Sequence, residues 1–240
     1  MQLKLSYKLN ITLSALAVLL LSACNDFNQS QKDSEGKFGK IIYHVSYPYL
    51  DSNDIGLNLL PDKMTLTFSG NQFKSESVGG MGLFAAGFIS HNDNKTVDHF
   101  MKVISSKYVS RFSEKGIKTF YQDFPSYRLE SLDSTKKIAG YNCEGTKVLF
   151  YNNKISDYVI WSTTELGLTN YNWCSPFPSI EGVLMEYKVQ QEGLVLAVKA
   201  LSIETDSVDM DEFKVPLDYN VVSNRTLKRK IKEAFVSFDY

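Results

Sequence analysis

Residues 64–78 read MTLTFSGNQFKSESV, two alternating runs meeting at a turn. Met64, Leu66 and Phe68 alternate with Thr65, Thr67 and Ser69. Successive side chains of a strand point to opposite faces, so this period of two predicts a half-buried strand. Ser69, Gly70 and Asn71 supply the turn, and Phe73 to Val78 follows with Lys74 and Glu76 directed to water, which predicts a hairpin.

The same reading extends outward. Upstream, Ile41, Tyr43, Val45 and Tyr47 alternate with His44 and Ser46. Downstream, Leu83 to Ile89 is almost continuously apolar, which fits a strand covered on both faces or one lining an internal hollow, with a buried helix as the competing reading. Asn92 to Asn94 turn the chain into Thr96–Ile104 and Lys107–Phe112. Further strands are expected at Tyr127–Leu132, Tyr141–Tyr151, Asp157–Thr163, Gly182–Val189 and Leu194–Ile203, with breaks at Asn152-Asn153, a Pro-containing loop and Glu192-Gly193. About ten strands joined by tight turns predict a mainly β fold, one antiparallel sheet curled into a half-open or closed barrel. Ser223 or Asn224 caps a short C-terminal helix with Leu227, Ile231, Ala234 and Phe235 on one face. Arg225, Lys228, Arg229, Lys230 and Lys232 on the other face read as a solvated surface or as a contact for anionic headgroups.

The first 23 residues read differently. Lys4 and Lys8 precede an apolar run from Ile11 to Leu21, too short for a membrane span but right for a secretory leader. It ends Leu21, Ser22, Ala23, Cys24, which resembles the bacterial lipobox, in which the cysteine thiol receives a diacylglycerol. Acyl chains contribute about 0.8 kcal/mol per buried methylene, so a lipidated Cys24 would anchor the chain to a membrane without a transmembrane helix. Residues 24–39 are polar apart from Phe27 and Phe38 and read as a tether, leaving 40–240 as one β-rich domain. Asn25 after the cysteine, by analogy with enteric sorting, favours the outer membrane over the inner.

Charge argues against a nucleic-acid partner. The chain has 26 basic and 27 acidic residues, and loss of Lys4 and Lys8 with the leader leaves it net acidic. Cys143 and Cys174 either form a disulfide across roughly 30 residues, contributing about 3 kcal/mol, or sit apart as buried thiols, and the sequence leaves both open. His44, His91 and His99 lack the spacing of a zinc site, and Asp206, Asp209 and Asp211 lack the glycine-centred loop of a calcium site. Gly79, Gly80 and Gly82 are not followed by the helix start that phosphate binding uses, and no Gly-x-Ser-x-Gly elbow is present. The expectation is therefore no enzyme, no metal and no cofactor. Phe68, Phe73, Phe84, Phe88, Trp161, Met185 and Tyr187 are candidates to line an apolar cavity in a curled sheet, or else to pack its core.

Five stretches in order, MTLTFSGNQFKSE (64–76), IAGYNC (138–143), WSTTEL (161–166), GVLMEY (182–187) and FKVPLDY (213–219), resemble an uncharacterised family of Bacteroidota envelope lipoproteins related to the GLPGLI proteins. The resemblance spans about residues 60 to 222, and the chain departs from the GLPGLI signature, since 176–185 reads PFPSIEGVLM. It implies a lipoprotein of the outer membrane or periplasm, with a sheet similar to lipoprotein carriers that shelter acyl chains, and it brings no catalytic residues. Two functions are compatible: binding of an apolar or lipid ligand, or recruitment of another envelope protein through a sheet edge or an exposed aromatic patch.

Overall fold

The computed structural model describes residues 37–51, 59–152, 155–191 and 194–236. The leader expected from the sequence, Cys24 and the expected tether up to residue 36 lie outside the described residues, as do Asn153, the break expected at 192–193 and the side chain of Phe235. The protein is mainly β, a single sheet of twelve strands in the order β12-β6-β5-β4-β3-β2-β1-β11-β10-β9-β8-β7. Two antiparallel meanders form it. The first runs through β1 (Phe38–Ser46), β2 (Lys63–Ser69), β3 (Gln72–Gly79), β4 (Phe84–His91), β5 (Thr96–Val103) and β6 (Ser106–Ser113). The second runs through β7 (Tyr127–Ile138), β8 (Tyr141–Phe150), β9 (Tyr158–Thr163), β10 (Val183–Gln191) and β11 (Leu194–Glu204). β11 returns to pair with β1 and joins the two. The sheet curls but does not close: β7 and β12 (Asn220–Val221) are its edges, so a closed barrel is not formed. Strand β1 begins at Phe38, inside the stretch expected to be tether.

The hairpin expected at 64–78 pairs Ser69 with Gln72 and Phe68 with Phe73, and Gly70 in its turn has the positive φ that glycine adopts without strain. Its period of two then sets the two faces. Ile41, Tyr43 and Val45 of β1 lie beside Leu66 and Phe68 of β2 and Phe73 of β3, all on the concave side. On the convex side Ile89, Phe100 and Val109 pack against Phe213, which belongs to a short 3-10 turn at Met210–Phe213. Asp209 caps that turn by accepting from the Asp211 amide at 2.9 Å, and Glu212 accepts from Lys40 Nζ at 2.8 Å. The segment after β11 thus crosses the back of the sheet before adding β12 in parallel to β6.

Two helices and one long loop roof the concave side. Helix α1 (Glu114–Phe120) has Ser113 as its cap, accepting from the Gly116 amide at 3.3 Å, and buries Ile117. Helix α2 (Asn224–Val236) is capped by Ser223, which accepts from the Thr226 amide at 3.2 Å, and buries Leu227 and Ile231. Its basic face is partly tied to protein, with Lys228 Nζ 2.9 Å from Asp123. Residues 164–182 between β9 and β10 have no regular strand or helix, yet Leu166, Leu168, Tyr171, Cys174, Phe177 and Ile180 are buried. A loop of that length inside a compact fold usually serves a site.

Candidate functional site

That loop is fastened at the far side of the sheet. Tyr171 donates to the Gly70 carbonyl at 2.9 Å and stacks on Phe73 with ring centroids 4.5 Å apart. Trp173 Nε1 donates to Ser90 Oγ at 3.0 Å and to Asn92 Oδ1 at 2.6 Å, while the Lys95 ammonium lies 4.9 Å from its ring centroid. The loop leaves β9, so reaching the β2–β3 turn and the end of β4 takes it across β10, β11, β1, β2 and β3. Asn172 holds its own bend, donating to the carbonyls of Ile180 at 2.6 Å and Gly182 at 2.9 Å.

Beneath this roof lies a hollow of about 240 Å³. Its floor includes Tyr43, Leu66, Phe73, Phe84, Phe88 and Tyr187, and its roof includes Phe120, Tyr121, Cys174, Phe177 and Ile231. None of its described lining residues is Lys, Arg, Asp or Glu. A second hollow, about 310 Å³, is lined by Tyr49, Phe124, Phe150, Tyr158 and Lys188, and Val189 and Gln190 line both. The second lies at the lower end of the range for small-molecule sites and the first just below it.

Of the seven aromatic and sulfur side chains singled out in the sequence, Phe73, Phe84, Phe88 and Tyr187 line the first hollow. Phe68 and Met185 do not, being packed into the core at 2% and 0% exposure. Trp161 also stands apart. It lies under the Lys136 ammonium, 4.5 Å from the ring centroid, and Lys136 pairs with Glu186 at 2.9 Å. Cys143 and Cys174 are free buried thiols, not a disulfide. Burial pushes the Cys143 thiol up and the Cys174 thiol up to about 12, which disfavours the reactive thiolate at both.

Several polar groups around the hollow are spent on the protein. Tyr43 donates to the Leu184 carbonyl at 3.0 Å and Tyr47 to the Pro61 carbonyl at 2.9 Å. Burial raises both phenols well above their ordinary range, so they stay neutral donors. His99 is different. It projects from the concave side of β5, with ring centroids 5.5 Å from Phe88, 5.2 Å from Phe112 and 5.0 Å from Phe120. Its Nε2 is buried and has no hydrogen-bond partner among the described residues. Desolvation lowers the imidazole to about 4, outweighing the opposite pull of Asp98. The neighbouring Asp98 is on the other face, held by Arg111 through bonds of 2.7 and 2.6 Å, with His91 Nε2 at 3.4 Å. Among the described residues no three His, Cys, Asp or Glu side chains group closely enough to hold a metal ion.

No family model and no curated protein matches the sequence. Among solved structures it is similar to PNGF-II, at 14% identity and a TM-score of 0.49, over 81% of this chain and 33% of that one. It is similar to MucB at 10% identity and a TM-score of 0.34, over 84% and 66%. A putative outer membrane lipoprotein-sorting protein domain from Vibrio parahaemolyticus aligns at 13% identity and a TM-score of 0.30, over 84% and 96%. The chain thus spans about a third of the length of the PNGF-II structures it matches. No assignment to a family follows from these likenesses.

Proposed function

We propose that this chain is a non-enzymatic envelope protein of the Bacteroidota lipoprotein family it resembles, anchored through Cys24, that shelters an apolar ligand under the roof of its curled sheet. One observation carries the reading: an aromatic-walled hollow whose described lining residues include no Lys, Arg, Asp or Glu. Such a wall favours transfer of hydrocarbon from water by about 25 cal/mol per Å² buried and offers nothing to stabilise a charged substrate. The purified full chain is expected to release a bound apolar molecule on solvent extraction, seen as a discrete added mass in native mass spectrometry. Ala86 lines the hollow, and Ala86→Phe fills part of it. That variant should bind the fluorescent probe N-phenylnaphthylamine at least 10-fold more weakly than wild type while melting no lower. Equal probe binding in both proteins, or none in either, counts against the reading.

A second reading, recruitment of another envelope protein, has its own support. At one end of the sheet Val78, Met81, Leu83 and Ile104 are exposed, and the Ile104 amide bonds the Leu83 carbonyl at 2.6 Å. Met81 and Ile104 both have positive φ, at 52° and 56°, and a β-branched residue is rarely found there. The sequence thus keeps an exposed isoleucine where asparagine would relieve strain. Ile104→Asn is expected to stabilise the fold by about 1 kcal/mol in urea unfolding. On this reading it should also abolish a discrete adduct formed in cells by a photocrosslinker at position 81, and an adduct that survives the change would dismiss it.

A further inference from the structure

The histidine in the wall of the hollow narrows the ligand class. His99 stands on the apolar face of β5, in line with Val97 and Met101, and three phenylalanine rings surround it. A phenylalanine there would match its neighbours at no polar cost. Instead a ring nitrogen is buried without a partner among the described residues, and leaving such a group unsatisfied forfeits its solvation with nothing in return. Buried polar atoms in native folds are rarely left so, and an exception points to a strain reservoir or to a bound group.

We propose that the hollow binds a single-chain amphiphile bearing one uncharged hydroxyl or carboxylic acid group, and that His99 Nε2 hydrogen-bonds this group inside the fold. The inference rests on the apolar-ligand reading above and adds to it the polar end of the ligand and its position. Three observations set the class. The hollow's volume of about 240 Å³ suits one short chain rather than a two-chain lipid. Its described wall residues include no Lys or Arg to neutralise an anion and no Asp or Glu to receive a cation, which favours a polar group that is neutral when bound. Of the other polar wall groups, Tyr43, Tyr47, Tyr171 and Asn172 already donate to backbone carbonyls, whereas the imidazole Nε2 is the wall atom that is buried with no partner among the described residues. A hydroxyl suits either tautomer, because it both donates and accepts.

The test compares 1-decanol with n-decane on the purified full chain, wild type and His99→Phe, by displacement of N-phenylnaphthylamine. Decanol is expected to bind His99→Phe about 10-fold more weakly than wild type, with decane affinity changed less than twofold. In the wild-type chain labelled with ¹⁵N-histidine, the His99 Nε2 resonance should move on adding decanol and stay in place on adding decane. That readout keeps the inference testable if the variant does not fold. If decanol and decane lose affinity equally, or the resonance ignores decanol, His99 does not hold the polar group, although the hollow still binds hydrocarbon. If neither compound binds wild type, the apolar-ligand reading itself fails.

Discussion

Between pH 6.5 and pH 4 the folded chain is expected to lose about 3 kcal/mol of stability through His99 alone. The sign follows from which state takes up the proton. Unfolded, the imidazole titrates at its ordinary value of 6.5; folded, at about 4, because Phe88, Phe112 and Phe120 surround it and exclude water. Between those values the unfolded chain holds a proton that the folded chain refuses, so stability is fully present above 6.5 and is lost as the pH falls through the window. The opposing pull comes from Asp98, which faces the other side of the sheet and is committed to Arg111. Urea unfolding of wild type and His99→Phe at about pH 7 and about pH 4.5 isolates the effect, since other acid-sensitive groups are common to both proteins. Wild type should lose roughly 2–3 kcal/mol more than the variant over that interval. An equal loss in the two would mean that the ring is not buried as described.

Much of the architecture was legible because a sheet with one face on a core imposes its period on the sequence. Met64, Leu66 and Phe68 announce both the strand and its inward face, and Ser69-Gly70-Asn71 announces the register of the hairpin. The pairing of β1 with β11 was not legible, since it joins Tyr43 to Ala200 and no local signal spans that distance. Helix α1 escaped because it has only seven residues, one of them Gly116, and rests on the Ser113 cap and the burial of Ile117. At the site, sequence parity put Phe68 and Phe73 on one face but could not say which of them meets the hollow. That depends on the 164–182 loop, whose residues have no period to read. His99 matches no metal-ligand spacing, so no site pattern in the sequence marks it as a binding group. The available signal was its parity with Val97 and Met101, a polar residue standing where the alternation calls for an apolar one.

Gly87→Ala is expected to destabilise the fold by about 3 kcal/mol, lowering the melting temperature by roughly 6–12 °C. Gly87 sits in β4 between Ala86 and Phe88, both of which line the hollow, and it pairs with Glu76 on β3 and Phe100 on β5. A Cβ there would stand 2.0 Å from the Ser75 carbonyl oxygen and 2.9 Å from the Phe100 ring. The first contact is with backbone, so relief requires moving one strand away from the other and stretching the ladder between them. The second is with a ring already fixed on the convex side, where Tyr219 meets it edge-on at 5.9 Å. Glycine inside a strand ordinarily weakens it, and its presence here fits a close approach of β3 to β4 where the sheet bends around the hollow. Gly140→Ala is the control. Its φ of +92° strains any side chain, yet nothing lies within 4 Å of the new Cβ, so it should cost only about 1–2 kcal/mol. If the two substitutions cost the same, backbone conformation rather than strand approach explains Gly87. If Gly87→Ala costs more and also weakens binding of N-phenylnaphthylamine, the bend at this residue shapes the space that holds the ligand.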